Sequence, residues 1–484
     1  MEEKDSAREK FDTVIQALGP AKIDSPIPDI DIGGEYTNFA SDSDRILFYQ
    51  RERYFRHCLE KRIDPVTLEL AGPRKKIYFD PKKLRCAIVT AGGLCPGVND
   101  VIRSIVLALY HTYGVRHIYG IRYGLQGFIP RYGHEMLELT PSVVANIHEM
   151  GGTFLASSRG HQDIGEIVDA LERLNIGLLF LIGGDGTLHA AASITDEVTR
   201  RGEKISIIGI PKTIDNDIFL VSKSFGFDTA VEMAAQAIRS AHTEAIGAPN
   251  GVGLVKLMGR HSGFIAANAA LALKEVNFVL IPEIDFDIEG EHGLLNILRK
   301  RLDERRHAVI VAAEGAGQKY VMGKELERDP SGNIKLGDIG KYLRDQIKHY
   351  FDQIKMPVNI RYIDPSYIIR SVPANVNDRI FCGFLGQMAV HAGMAGKTGM
   401  LVSLWNNRYV HVPLKSAIAR RKQIDPNGRL WLSVLESTGQ PSLKNPVQTP
   451  ACASHADRSA EICLQEEKRK SKAARRPVAK HSKS

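Results

Sequence analysis

Two short stretches concentrate residues able to do chemistry. GGDGT at 183–187 sets one carboxylate, Asp185, among glycines, and PKTIDND at 211–217 places Lys212, Asp215 and Asp217 directly after the apolar run ISIIGI. Glycines let a backbone approach an anion closely, and a helix N-terminus offers free N–H groups and a partial positive charge. A lone carboxylate there suits a magnesium ion that keeps most of its waters and bridges phosphates. Opposite such a cradle, a second carboxylate can take the proton of a hydroxyl as its oxygen attacks phosphorus. Asp215 is the candidate for that task, with Asp217 and Lys212 positioning it and offsetting charge. Taken singly, TIDND reads first as an Asx-turn cluster, and Asp185 reads as a helix cap, although a cap alone would not call for glycine on both sides. Together they point to phosphoryl transfer.

Further loops of this kind follow other apolar runs. GGLCPG (92–97) joins LRCAIVT to the helical pattern VIRSIVLALY, MGRHSG (258–263) follows VGLVKLM, and EGAG (314–317) ends AVIVAAE. Arg260 can neutralise a transferring phosphoryl group, Glu314 can hold sugar hydroxyls, and SSRG (157–160) adds Arg159. Continuous apolar strands alternating with helices predict an α/β fold with mostly parallel sheets covered on both faces. The number of strands suits two doubly wound lobes, with N- and C-terminal extensions. In open parallel sheets ligands gather beyond the carboxyl ends of the strands, which is where each of these loops falls.

The expected organisation is an N-terminal extension over 1–83, a nucleotide-binding lobe over 84–245 and a sugar-phosphate-binding lobe over 246–375. Helices and strands over 376–435 complete the lobes, and a basic, disordered tail covers 436–484. Hydrophobic residues at 43% and charged residues at 25% are ordinary for a globular chain. The net charge of +8 is local: the last seventeen residues, KRKSKAARRPVAKHSKS, carry eight Lys and Arg and no acid, and elsewhere basic and acidic residues balance at 56 each. No nucleic-acid or membrane partner is expected for the body. Six cysteines form no CxxC pair and the sixteen histidines no HExxH, so no zinc site or disulfide framework is indicated. The charged N-terminus lacks a secretory core, and cytoplasm is the expected compartment. The terminal Ser-Lys-Ser only resembles a peroxisome or glycosome address.

GGLCPGVN (92–99), GGTFLASSRG (151–160), GGDGT, PKTIDND, GLVKLMGRHSGFIA (253–266), VAAEGAGQ (311–318) and YIDPSYIIR (362–370), in this order, resemble the 6-phosphofructokinase family. The similarity runs from about Leu84 to Trp431. It is strongest to the ATP-dependent branch that shares motifs with pyrophosphate-dependent enzymes. The resemblance implies an active site between two lobes, where Asp215 takes the proton from the 1-hydroxyl of fructose 6-phosphate and the γ-phosphate of ATP is transferred. Asp185 would hold Mg²⁺; Gly93, Arg159, Gly160, Gly184, Asp185, Gly186 and Thr187 would line the nucleotide site. Thr213, Ile214, Met258, Gly259, Arg260 and Glu314 would bind the sugar phosphate or the transferred group. Tyr367 and Arg370 would grip the 6-phosphate, with Arg361 reaching across from a neighbouring subunit. The family implies glycolysis, allosteric control and a homotetramer. Two positions depart from the simple bacterial pattern: Gly251 stands where that pattern has arginine, and Tyr367 where it has histidine.

Donor choice in the family tracks two positions. Pyrophosphate users resemble GGDD with PKTIDND, ATP users GGDG with PGTIDND; this chain has Gly186 and Lys212, one mark from each. An aspartate at 186 would stand where the α-phosphate of ATP passes, whereas a lysine excludes neither donor, so ATP is expected. The alternatives are a pyrophosphate-dependent enzyme, another GGDGT kinase such as an NAD or lipid kinase, and a non-catalytic regulatory subunit. The last should lack Asp185, Asp215 and Asp217, which are all present.

Overall fold

The computed structural model describes residues 11–30, 38–323, 327–328 and 334–446. The basic run from Lys468, the Ser-Lys-Ser end, Cys452 and Cys463 lie outside the described residues. In chain order the strands of the two main sheets are β1 (Arg45–Leu47), β2 (Thr67–Leu70), β3 (Arg85–Ala91), β4 (His117–Ile121), β5 (Leu137–Glu138), β6 (Leu178–Gly183) and β7 (Ser206–Pro211). There follow β8 (Gly251–Leu257), β9 (Phe278–Leu280), β10 (His307–Ala313), β11 (Asn359–Ile363), β12 (Met400–Trp405) and β13 (Arg408–Pro413).

The larger sheet has the order β1-β2-β13-β12-β7-β6-β3-β4-β5 and the smaller β9-β10-β8-β11. Strands β12, β7, β6, β3 and β4 run parallel, as do all four of the smaller sheet. β1, β2, β5 and β13 are antiparallel to their neighbours. This is the mostly parallel, two-sheet α/β architecture expected from the apolar strand runs.

Both faces of the parallel strands are covered. Cys86, Ile88, Phe180 and Ile208 enter one apolar core, while the alternating Ala87, Val89, Leu179 and Ile207 enter another. That is why these strands read as unbroken runs and not as alternating ones. Register then aligns their ends. Ala91 and Pro211 both pair with Gly183, so the loops GGLCPG, GGDGT and PKTIDND depart from one line. Leu257 pairs with Ala313, which brings the MGR and EGAG loops level in the smaller sheet.

Two boundaries differ from the sequence expectation. The helix Phe227–Ile246, assigned above to the first lobe, packs on β8, β10 and β11 of the smaller sheet. The stretch before residue 84 does not merely lie on the body: β1 and β2 extend the larger sheet beyond β13. The four-residue TLEL carries a glutamate at its centre, so its sequence does not read as a buried strand. In the fold Glu69 is buried and accepts hydrogen bonds from Arg74 Nη2 at 3.0 Å and His411 Nδ1 at 2.9 Å, with Lys397 Nζ at 3.1 Å. Asp42 pairs with the same Arg74 and Lys397.

Burial pushes the Glu69 carboxyl up, but His411 and Lys397 outweigh burial and hold its pKa below the ordinary value. A depressed carboxyl pKa stabilises the fold above the unfolded-state pKa, and this is lost as pH falls through the folded value. Glu69→Ala leaves Arg74 and Lys397 to the more exposed Asp42 and takes the carboxylate from buried His411, and the expected loss in urea unfolding at neutral pH is about 1–3 kcal/mol, shrinking toward acid pH. An unchanged unfolding midpoint would show that β2 is dispensable to the sheet.

Candidate active site

The aligned loops wall a cavity of about 660 Å³ between the two sheets. Gly93, Arg159, Gly160, Gly184, Asp185, Gly186, Thr187, Lys212, Thr213, Ile214, Asp215, Asp217, Met258, Arg260, Glu314, Tyr367 and Arg370 all line it. Gly259 sits in the same loop with φ +134°, where a Cβ would meet the Ser262 carbonyl oxygen at 2.5 Å. Arg361 is not brought to the cavity: it is exposed on β11 and pairs with Glu244 at 3.2 Å.

On the phosphate-cradle side the helix Asp185–Arg201 begins at the cavity, with Gly184 preceding its first turn. Asp185 is therefore the first helical residue and not the cap; its carboxylate faces the cavity. A Cβ on Gly186 would meet no atom within 4 Å, so the space beside this position is open. Lys212 Nζ donates to the Gly93 carbonyl at 2.5 Å and its backbone N–H to Gly183, tying three loops together. Burial pulls the pKa of Lys212 down, and Arg370 and Arg159 add to the fall.

The TIDND segment is a turn as well as a cluster of acids. Asn216 has φ +54°, and its Oδ1 accepts from the Ser224 N–H at 3.0 Å. Thr213 Oγ1 accepts from the Asp215 N–H at 3.1 Å and donates to Asp217 Oδ1 at 3.2 Å. Ser262 Oγ, from the smaller-sheet side, donates to the Asp215 carbonyl at 3.1 Å. The Asp215 carboxylate takes no part in this network. Its Oδ1 is shielded from solvent and has no hydrogen-bond partner among the described residues. Burial pushes its pKa up to about 8, with Asp217 and Glu314 adding to the rise and Arg370 and Arg421 opposing it. A group so tuned accepts protons well near neutrality.

Across the cleft Arg260, Arg370 and Arg159 supply positive charge. Burial, with Arg159 nearby, lowers the Arg370 pKa, and its guanidinium lies 5.0 Å from the Tyr367 ring. Burial likewise raises the Glu314 carboxyl. At Gly251 a Cβ would lie 2.0 Å from the Ala245 carbonyl oxygen, so no side chain fits without moving the helix end. The arginine of the bacterial pattern is excluded here by backbone packing.

Arg421, which the sequence motifs do not include, lines the cavity and bonds Asp217 Oδ2 and Asp185 Oδ2, each at 2.7 Å. In sequence it belongs to the basic run ARRKQ and carries no signal of a site. Asp185 Oδ1 lies 3.8 Å from His189 Nε2. No group of three or more His, Cys, Asp or Glu able to hold a metal occurs among the described residues. Asp185, the carboxylate of the phosphate cradle, fits Mg²⁺, which binds through one or two carboxylates while keeping waters and using phosphate oxygens.

Residues 85–393 match the family described as Phosphofructokinase. The chain is 50% identical over 444 residues to the ATP-dependent 6-phosphofructokinase of Borreliella burgdorferi, covering 90% of this chain and 99% of that protein. It is 45% identical over 432 residues to the chloroplastic ATP-dependent 6-phosphofructokinase 5 of Arabidopsis thaliana, covering 87% and 80%. Among solved structures, the pyrophosphate-dependent phosphofructokinase of Marinobacter aquaeolei shares the fold with a TM-score of 0.60 at 18% identity, over 76% of this chain and 94% of that one. With matched loops spanning both sheets and near-complete coverage of a half-identical relative, the chain belongs to the phosphofructokinase family.

Proposed function

We propose that this chain is an ATP-dependent 6-phosphofructokinase, transferring the γ-phosphate of ATP to the 1-hydroxyl of fructose 6-phosphate. The observation that carries this reading is the unpartnered Asp215 carboxylate, facing a cavity it shares with the GGDGT cradle. Asp215 takes the proton of the 1-hydroxyl as that oxygen forms a bond to the γ-phosphorus. The bond from the γ-phosphorus to the bridging oxygen breaks, and ADP leaves with that oxygen. Asp215 then returns the proton to solvent. Arg260 and Arg370 offset charge on the transferring group and the 6-phosphate, and Glu314 and Met258 contact the sugar. Asp185 would hold Mg²⁺, which would supply charge neutralisation at the donor phosphates. Arg361, exposed on β11, would serve the 6-phosphate site of a neighbouring subunit in a homo-oligomer.

Two features support ATP as donor. The space beside Gly186 is open, and the curated relatives named above carry ATP-dependent names. Lys212 is engaged by the Gly93 carbonyl, so its presence does not by itself select pyrophosphate. No helix among the described residues is long and apolar enough to cross a membrane, and a cytoplasmic place in glycolysis belongs to the same reading.

Asp215→Asn should lower kcat by about 10³-fold while leaving the KM values nearly unchanged. Steady-state kinetics on the purified variant checks this, and retained full turnover would sink the mechanism. Because Asp215 must be ionised to accept a proton, kcat/KM should rise with pH along a single-proton limb near 8. A profile flat from pH 6 to 9 would oppose that role. Gly186→Asp places a like charge against the donor phosphates and should cut ATP turnover by about 100-fold or more. Assays with ATP and with pyrophosphate test the gate; unaltered ATP turnover would remove it.

A further inference from the structure

Arg421 belongs to a strap that crosses from one side of the cleft to the other. Its backbone bridges to Ile218, and the next residue's N–H donates to the Asp217 carbonyl at 2.8 Å. Lys422 Nζ donates to Asn216 Oδ1 at 2.9 Å and to the Val221 carbonyl at 2.6 Å, fastening the strap to the TIDND turn. Onward, Gln423 Nε2 donates to the His261 carbonyl at 3.1 Å and the Ile424 N–H to Glu283 Oε1 at 2.9 Å. The same Glu283 oxygen accepts from the Gly263 N–H at 3.0 Å, so this end is tied to the loop after Arg260.

From this strap one guanidinium holds two carboxylates of different tasks. Asp185 belongs to the phosphate cradle and is about one-third exposed, whereas the Asp217 side chain is only 7% exposed. Asp217 passes the constraint on: its Oδ1 accepts from Thr213 Oγ1, which accepts from the Asp215 N–H. The series Asp185, Arg421, Asp217, Thr213, Asp215 is thus an unbroken hydrogen-bonded path from the donor-side carboxylate to the acceptor-side base. The planar fork presents its N–H donors in a fixed geometry and so sets the separation of the two carboxylates, whereas a lysine ammonium on a rotatable stem can bridge two acids without fixing their spacing.

We propose that Arg421 is a positioning residue that sets the distance between donor-side Asp185 and the base-bearing TIDND turn. This deepens the phosphofructokinase reading and rests on it. It also defines a competition at Asp185, because Arg421 occupies one carboxylate oxygen that a divalent cation would share. Removing the guanidinium therefore frees Asp185 for the cation while loosening the placement of Asp215. Turnover falls, and nucleotide binding does not.

The test compares the full-length parent with Arg421→Ala and Arg421→Lys. Parent turnover with ATP and fructose 6-phosphate is measured first; an inactive parent would overturn the functional reading itself. With an active parent, Arg421→Ala should lose about 100-fold in kcat, as expected for misplaced reacting groups. Its KM for fructose 6-phosphate should stay within about threefold, reporting loss of an interaction that matters in the transition state. ADP binding in Mg²⁺, read by calorimetry without turnover, should be equal to the parent's or tighter. Arg421→Lys should recover part of the loss, and added guanidinium should raise the turnover of Arg421→Ala. Parent-like kcat in Arg421→Ala would overturn the proposal. So would a fall in kcat accompanied by weakened ADP binding and a lowered melting temperature in both variants.

Discussion

The site depends on keeping the Asp215 carboxylate free at a place where burial and two neighbouring acids oppose its charge. An unpartnered carboxylate of this kind is costly, and it persists only if the surrounding backbone leaves it no other position. The TIDND turn meets that requirement by engaging its other side-chain polar groups, some within the turn and some with the strap that carries Arg421 and Lys422. Thr213, Asn216, Asp217 and Ser224 satisfy one another, and Ser262 takes the Asp215 carbonyl. What remains is one carboxylate aimed at the cleft, tuned by burial to hold a proton near neutral pH.

That turn is only as well placed as the strands beneath it. The common end of β3, β6 and β7 brings the glycine loops and the base to one level, and the paired ends of β8 and β10 do the same for Arg260 and Glu314. Lys212 illustrates how side chains reinforce this arrangement. A charge that reads in sequence as a phosphate ligand is used in the fold to pin the Gly93 loop against the end of β7. Its buried ammonium raises the local potential at the cavity wall while its hydrogen bond fixes geometry.

The cationic groups of the cleft divide into two kinds. Arg159, Arg260 and Arg370 make no ion pair among the described residues and present positive charge to an incoming anion. Arg421 is instead committed to Asp185 and Asp217, so these two acids do not accumulate unopposed negative charge. A separate buried group, Glu69 with Arg74, Lys397 and His411, ties β2 to β13 at the far side of the same sheet. Those strands support the architecture and stand away from the cavity.

The parallel two-sheet fold was legible because strands buried on both faces need apolar residues at every position, a local property of ISIIGI or AVIVAA. The candidate site was legible because glycine, aspartate and arginine gathered at strand ends, where parallel sheets open their loops. Three features were not. Thr67–Leu70 does not read as a buried strand because of Glu69, whose burial depends on partners hundreds of residues away, Lys397 and His411, as well as on nearby Arg74. The helix Phe227–Ile246 gives no sign of which sheet it covers, since its apolar face would suit either. Arg421 lies in a basic run whose composition suggests a solvated surface, and only the crossing of the cleft by its strap sets it between two aspartates. The sequence by itself determined the elements and the chemistry at their ends, because those follow from near neighbours in the chain. Tertiary structure decided which charges meet, because electrostatic partners are chosen by distance in space.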